Sequence, residues 1–274
     1  MNVLISTTTN WNPGDDFIRM GVKNLLNPIL KKPNWIHYDR NPDNMVDYPS
    51  NQRLRKEVAW DRTDLVVLAG SPEFLHEPLV LIYEGLATRP HIPLWAIGVG
   101  YGESEWVVPL TDHEITVLGR PDTVIITRQM ELSGRLEAIL ERKIHTLPCP
   151  AILCSNLITY KTSRKSLYIS QGIVPDSEYD VAFCTQDDVC CEGFYSSDPV
   201  DLLNHISKYD TVVSQRLHGG LAAISCGAHV TFQNDSFRAT EALKLFEPII
   251  GQKDSMKISL FKEIVKKEYL QILE

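Results

Sequence analysis

The stretch Asp210-Thr-Val-Val-Ser214-Gln-Arg216-Leu217-His218-Gly219-Gly220-Leu-Ala-Ala-Ile-Ser-Cys-Gly227-Ala-His-Val230-Thr-Phe232 reads as strand, polar turn, helix and strand. Val212 and Val213 make a short buried strand, and Leu217, Leu221 and Ile224 recur on one helical face. Gly227 stops the helix, and Val230 to Phe232 resumes as strand. That order is one parallel α/β unit. Arg216 and His218 then stand at a helix N-terminus, where unpaired backbone N–H groups and the positive dipole end favour an anion. An arginine fork and an imidazole strengthen the preference, so a phosphate or carboxylate is the expected ligand.

Working outward, the same alternation runs through the chain. Val3 to Ser6 is a strand, Asn10 to Asp15 a polar loop, and Ile18, Val22, Leu25 and Leu26 the buried face of a helix that Asp15 or Asp16 would cap. Further strands are expected at Trp35 to Tyr38, Leu65 to Leu68, Leu94 to Ile97 and Val124 to Ile126. Helical patterns lie around Leu54 to Trp60, at Pro78 to Leu86, and on the face of Leu132, Leu136, Ile139 and Leu140. Asp39 to Asn51 is rich in Pro, Asn and Asp and reads as a long surface loop.

Pro148-Cys149-Pro150 interrupts any regular element, and Thr159 to Lys165 is polar and basic. These features predict an N-terminal α/β lobe over residues 1–155 and a smaller C-terminal α/β lobe over 156–257, followed by a closing amphipathic helix over 258–274. The second lobe would hold strands at Leu167 to Ser170, Val181 to Cys184, Val212 to Ser214 and Val230 to Phe232, with a helix at Pro199 to Ile206. Its link from Gln171 to Asp180 is short for a parallel crossover, which usually takes a dozen or more residues, so that lobe reads as reduced.

Composition narrows the function classes. The 274 residues carry a formal charge of -8, which disfavours nucleic acid and anionic membrane as partners because both demand a basic surface. No apolar run approaches the roughly 20 residues of a membrane span, and the Met1-Asn2-Val3 start has no basic region of a signal peptide, so a cytoplasmic location is expected. The 6 cysteines lack zinc-type spacing and read as reduced thiols; neither a metal nor a cofactor is expected. Oligomeric state is left open, a homo-oligomer included.

Polar or glycine-rich turns follow the predicted strands: Asn12-Pro13-Gly14-Asp15, Gly70-Ser71, Gly98-Val99-Gly100-Tyr101-Gly102, Arg128, and Ser214-Gln-Arg216-Leu217-His218-Gly219. In parallel sheets ligands lie outside the carboxyl ends of strands, so these turns are the candidate binding set. The third glycine of Gly98-Val99-Gly100-Tyr101-Gly102 comes one residue too early for a dinucleotide fingerprint. Arg128, at a strand end, could clamp a carboxylate bidentately or form an ordinary salt bridge. His218 is the histidine placed for general acid or base work; Asp15 is either a helix cap or a site carboxylate.

Together, Asn12-x-Gly14-Asp15-x-x-Ile18, the strands ending in Gly70 and in Gly98-Val99-Gly100, Arg128 with Ser133, and Ser214-x-Arg216-Leu217-His218-Gly219 resemble the polysaccharide pyruvyl transferase family. The resemblance implies a GT-B-like fold of two Rossmann-like α/β lobes. It also implies transfer of the enolpyruvyl carbon of phosphoenolpyruvate onto a pair of sugar hydroxyls as a ketal. It carries the family's donor-binding arginines to Arg128 and Arg216 and its motif histidine to His218. The partners would be an anionic small-molecule donor and a carbohydrate acceptor. The chain departs from the pattern at Ala69-Gly70-Ser71 in place of a glycine run, at Gln129 in place of Asp, and at Cys149 in place of the Asp of an Asp-Pro pair. Two other readings share the Arg216 and His218 turn: a GT-B-type glycosyltransferase using a nucleotide sugar, and a retired member that only binds ligand.

Overall fold

The computed structural model describes residues 1–7, 12–39, 60–70, 79–101, 109–155, 163, 165–172, 178–233, 236–252 and 254–273. It divides into two compact units, Met1–Thr7 with Leu26–Cys149, and Thr8–Leu25 with Pro150–Glu274.

The first unit is built on β1 (Asn2–Thr7), β2 (Asn34–Asp39), β3 (Leu65–Ala69), β4 (Leu94–Val99), β5 (Val124–Thr127) and β6 (His145–Thr146), in the order β2-β1-β3-β4-β5-β6. Every pairing is parallel. Leu65, Val66, Val67, Leu68 and Ala69 are all buried, as a continuous apolar run in a central parallel strand should be. Gly98 takes φ +66 where the β4–β5 register shifts between Ile97 and Val99. The second unit has β7 (Ser166–Ser170), β8 (Tyr179–Phe183), β9 (Thr211–Ser214) and β10 (His229–Phe232) in the order β10-β9-β7-β8, again all parallel. Its sheet reverses direction of growth at β7, which lies between β8 and β9; ligand crevices in such sheets form at this kind of switch point.

Among the described residues the α-helices are α1 (Pro13–Leu26), α2 (Val80–Ala87), α3 (Asp112–Leu118), α4 (Met130–Leu140), α5 (Pro199–Ile206), α6 (Leu217–Ser225), α7 (Phe237–Leu243) and α8 (Ser255–Leu273). Local chemistry sets several starts. Asp198 accepts from Val200 N–H ahead of Pro199 at the start of α5, and Thr111 with Glu114 closes a capping box on α3. The cap of α1 is Asn12, not Asp15 or Asp16: Asn12 Oδ1 accepts from Asp15 N–H at 3.3 Å, and Asp16 pairs instead with Arg19 at 3.1 Å.

Helix α1 follows β1 in sequence yet packs with the second unit. Gly21 brings its backbone against the Pro150 carbonyl, where a Cβ would overlap the oxygen. Asn24 Nδ2 donates to Leu153 O at 2.9 Å and to Cys154 O at 3.3 Å. These contacts join α1 to the turn that opens the second half of the chain, Pro150–Leu153. At the other end Lys262 of α8 donates to Ser155 O and to Ser225 O, binding the last helix to the C-terminus of α6.

The sequence reading missed α3, α7 and the two-residue β6. Its helical pattern at Leu54 to Trp60 and its polar loop at Asp39 to Asn51 fall almost wholly outside the described residues. Among the described residues, no helix is long and apolar enough to cross a membrane.

Candidate active site

In the second unit, three chain segments meet beyond the carboxyl ends of β8 and β9. The first is the turn after β9. Ser214 is fully buried; its hydroxyl donates to Arg216 O at 2.7 Å and accepts from Arg216 N–H at 3.2 Å. This tight turn keeps Arg216 extended, at φ -105 and ψ 124, as the residue preceding α6. Leu217 is buried as the first helical residue, and His218 follows on the opening turn.

The second segment is the start of α1. Asp15 Oδ1 lies 2.9 Å from His218 Nδ1, with the two side chains only 12% and 11% exposed. A carboxylate on Nδ1 orients the ring and selects the tautomer whose lone pair is on Nε2, the arrangement that a proton-transferring histidine requires. The third segment follows β8. Cys184 O accepts from Gly14 N–H at 3.3 Å, and Gly219 packs so closely on Cys184 Sγ and Ile169 that no side chain fits there. Glycines at 14 and 219 thus allow both helix N-termini to approach the end of β8.

Sequence reasoning did not find Asp188. It ends the short turn Gln186–Asp188, is 5% exposed, and accepts from Arg216 Nε at 2.7 Å with its other oxygen on Arg216 Nη2. The signal was present in outline, since Asp187 and Asp188 follow a buried strand at the same sheet edge as the other turns. His218 and Arg216 therefore each have a carboxylate partner, Asp15 and Asp188 respectively. Burial pushes the Cys184 thiol up to about 12; Arg216 pulls it down, while Asp188 and Asp15 reinforce the rise. Cys184 is accordingly a packed thiol and not a nucleophile. Thr185 Oγ1 is buried with no hydrogen-bond partner among the described residues, a position that a ligand's polar group would satisfy. Among the described residues, no group of three His, Cys, Asp or Glu could hold a metal ion.

The remaining candidates belong to the first unit. Gly70 ends β3 at φ +69, and Gly98 and Gly100 flank the end of β4. Arg128 is 0% exposed. Its backbone N–H donates to Val99 O at 2.9 Å, its Nη1 to Cys149 Sγ at 3.8 Å, and its guanidinium lies against Gly100. Gln129 Oε1 accepts from Tyr101 N–H at 2.8 Å. Cys149 and Gln129, two of the positions where the chain departs from the family pattern, thus lie close by, Cys149 on Nη1 and Gln129 beside the same Gly100. Arg128 is thus enclosed within its own unit. Ser71 lies outside the described residues.

The sequence model of polysaccharide pyruvyl transferases matches residues 12–232. The chain belongs to that family. Family members of this kind are transferases, and the match spans both the Asn12 and the Arg216 turns. A comparison with curated proteins found no match. Among solved structures, a functionally uncharacterized protein from Klebsiella pneumoniae is similar at 14% identity and a TM-score of 0.53, covering 89% of this chain and 87% of that one. The UDP-GlcNAc 2-epimerase of Neisseria meningitidis, solved with UDP-GlcNAc, aligns at 12% identity and a TM-score of 0.52 over 98% of this chain and 93% of its own. A putative UDP-N-acetylglucosamine 2-epimerase from Listeria monocytogenes aligns at 13% identity and 0.52 over 99% and 87%. These likenesses establish the fold, a GT-B-like pair of parallel α/β units.

Proposed function

We propose that this family member transfers the enolpyruvyl carbon of phosphoenolpyruvate to two hydroxyls of a sugar, forming a ketal and releasing phosphate. The observation that carries the reading is the Asp15–His218 contact at 2.9 Å, placed at the N-terminus of α6 two residues after Arg216. A proton delivered to the donor's methylene carbon makes the neighbouring carbon electrophilic. One sugar hydroxyl adds there and loses its proton; the second hydroxyl then displaces phosphate, and its proton leaves with the phosphate or returns to the base. His218 Nε2 suits the proton transfers because Asp15 holds Nδ1. Arg216 and the backbone N–H groups opening α6 suit the donor's phosphate or carboxylate, with no demand for a metal in this scheme. In this reading the second unit serves the donor and the first the acceptor.

The test combines two measurements. Phosphoenolpyruvate should raise the thermal midpoint by mass action, and phosphate release should require both phosphoenolpyruvate and a saccharide diol. His218→Ala should abolish turnover while keeping donor binding, and Arg216→Ala should lose both. Stabilisation by a nucleotide sugar, with none by phosphoenolpyruvate, would replace this reading with glycosyl transfer.

A further inference from the structure

Arg216 does not present its whole fork to a ligand. Asp188 takes its Nε and Nη2 side-on, and both partners lie in the second unit. A guanidinium has five N–H donors in a rigid plane. The side-on pair uses two of them and fixes the plane, which leaves the edge containing Nη1 to meet an incoming anion. Asp188 is well placed to impose this: it is 5% exposed and its own N–H donates to Thr185 O at 3.3 Å, which fixes the turn that carries it. It also cancels the arginine's charge beside the start of α6. Only 24% of the Arg216 side chain remains accessible, so the pair is partly desolvated and its geometry is held more firmly than that of an exposed ion pair.

We propose that Asp188 is a positioning and specificity-determining residue, orienting Arg216 by its Nε–Nη2 edge and lowering the net charge that the turn offers to the donor. The inference rests on the reading that Arg216 receives a donor anion. Its consequence is a trade-off: an uncompensated Arg216 would hold free phosphate more tightly but would orient the donor less well and release phosphate more slowly. Asp188 thereby favours turnover over anion retention.

Isothermal titration with inorganic phosphate, on the full chain and on Asp188→Asn, Asp188→Glu and Arg216→Ala, tests this. Removing a carboxylate a few ångströms from a bound anion should tighten phosphate binding by about tenfold or more in Asp188→Asn, with a steeper dependence on salt. Asp188→Glu keeps the charge and should bind phosphate within about twofold of the parent protein, since the Coulomb term is preserved. In steady-state assays Asp188→Asn should lower kcat and KM together, a split that loss of folding alone does not produce. If Arg216→Ala weakens phosphate binding while Asp188→Asn and Asp188→Glu both match the parent, the Asp188 assignment fails and the Arg216 reading stands. If Arg216→Ala binds phosphate as well as the parent does, the Arg216 reading itself fails. Should Asp188→Asn not fold, loss of the parental phosphate affinity in a folded Asp188→Glu would overturn the proposal, because charge would then not be what sets it.

Discussion

Two turns in this chain follow the same local plan, a short apolar strand, an arginine and a helix, yet the two arginines end in different surroundings. After β5, Arg128 is wholly buried against Gly100 and Cys149. After β9, Arg216 keeps partial access to solvent and meets a carboxylate, beside a histidine that meets another. In the first case the glycine of a neighbouring loop makes room for the guanidinium to be enclosed. In the second the glycine of the arginine's own helix, Gly219, lies close on Cys184 and Ile169. The same local plan thus leaves one strand-end arginine enclosed and the other partly exposed beside a carboxylate.

The contrast can be broken by substitutions on either side. The largest effect is expected at the second turn, where Asp15→Asn would favour the wrong tautomer of His218 and lower kcat by about 10²- to 10⁴-fold with little change in stability. Measured activity close to that of the parent would remove the dyad from the chemistry. Next, Arg128→Ala should cost about 3–5 kcal/mol in urea unfolding, in the range for emptying a large buried side-chain site, whereas Arg216→Ala should cost on the order of 1–2 kcal/mol. A stable Arg128→Ala protein that has lost only donor affinity would make the two arginines alike after all.

Smaller effects sharpen the role of the glycines. Gly219→Ala pushes a methyl into Cys184 Sγ and should destabilise by about 1–3 kcal/mol, with Cys184→Ala recovering much of the loss in the double mutant. Additive losses would show that sulfur is not the obstacle. The mildest measurement is alkylation at pH 8: the exposed Cys190 and Cys191 should react while Cys184, buried and with its thiol pushed up to about 12, should not. Labelling of Cys184 in the parent protein would mean that the packing of α1, β8 and α6 opens readily.

Much of this was legible in the residues. Apolar runs marked β1, β3, β4, β5 and all four strands of the second sheet, most clearly the central ones, because buried parallel strands are continuous and short. The pattern from Pro199 to Ile206 marked α5, and Gly227, at φ +82, announced the end of α6. Helices α3 and α7 went unread. Each is one of the shortest in the fold, 7 residues long, and offers too few turns for an apolar period to register. Arg216 and His218 were legible because both belong to one turn. Asp188 was not, since it is 28 residues from its partner in sequence and nothing in the spacing relates them.

Local order along the chain was enough for the parallel α/β class, the position of the Arg216 turn at a helix start and the family to which the chain belongs. Those properties depend on periodicity, caps and motif spacing, which are short-range. The packing of α1 with the second unit, the enclosure of Arg128 and the carboxylate partners of His218 and Arg216 arose only in three dimensions. They depend on close approach between segments far apart in sequence, such as Gly21 on Pro150 and Gly219 on Cys184, and such approach is governed by the fit of whole elements.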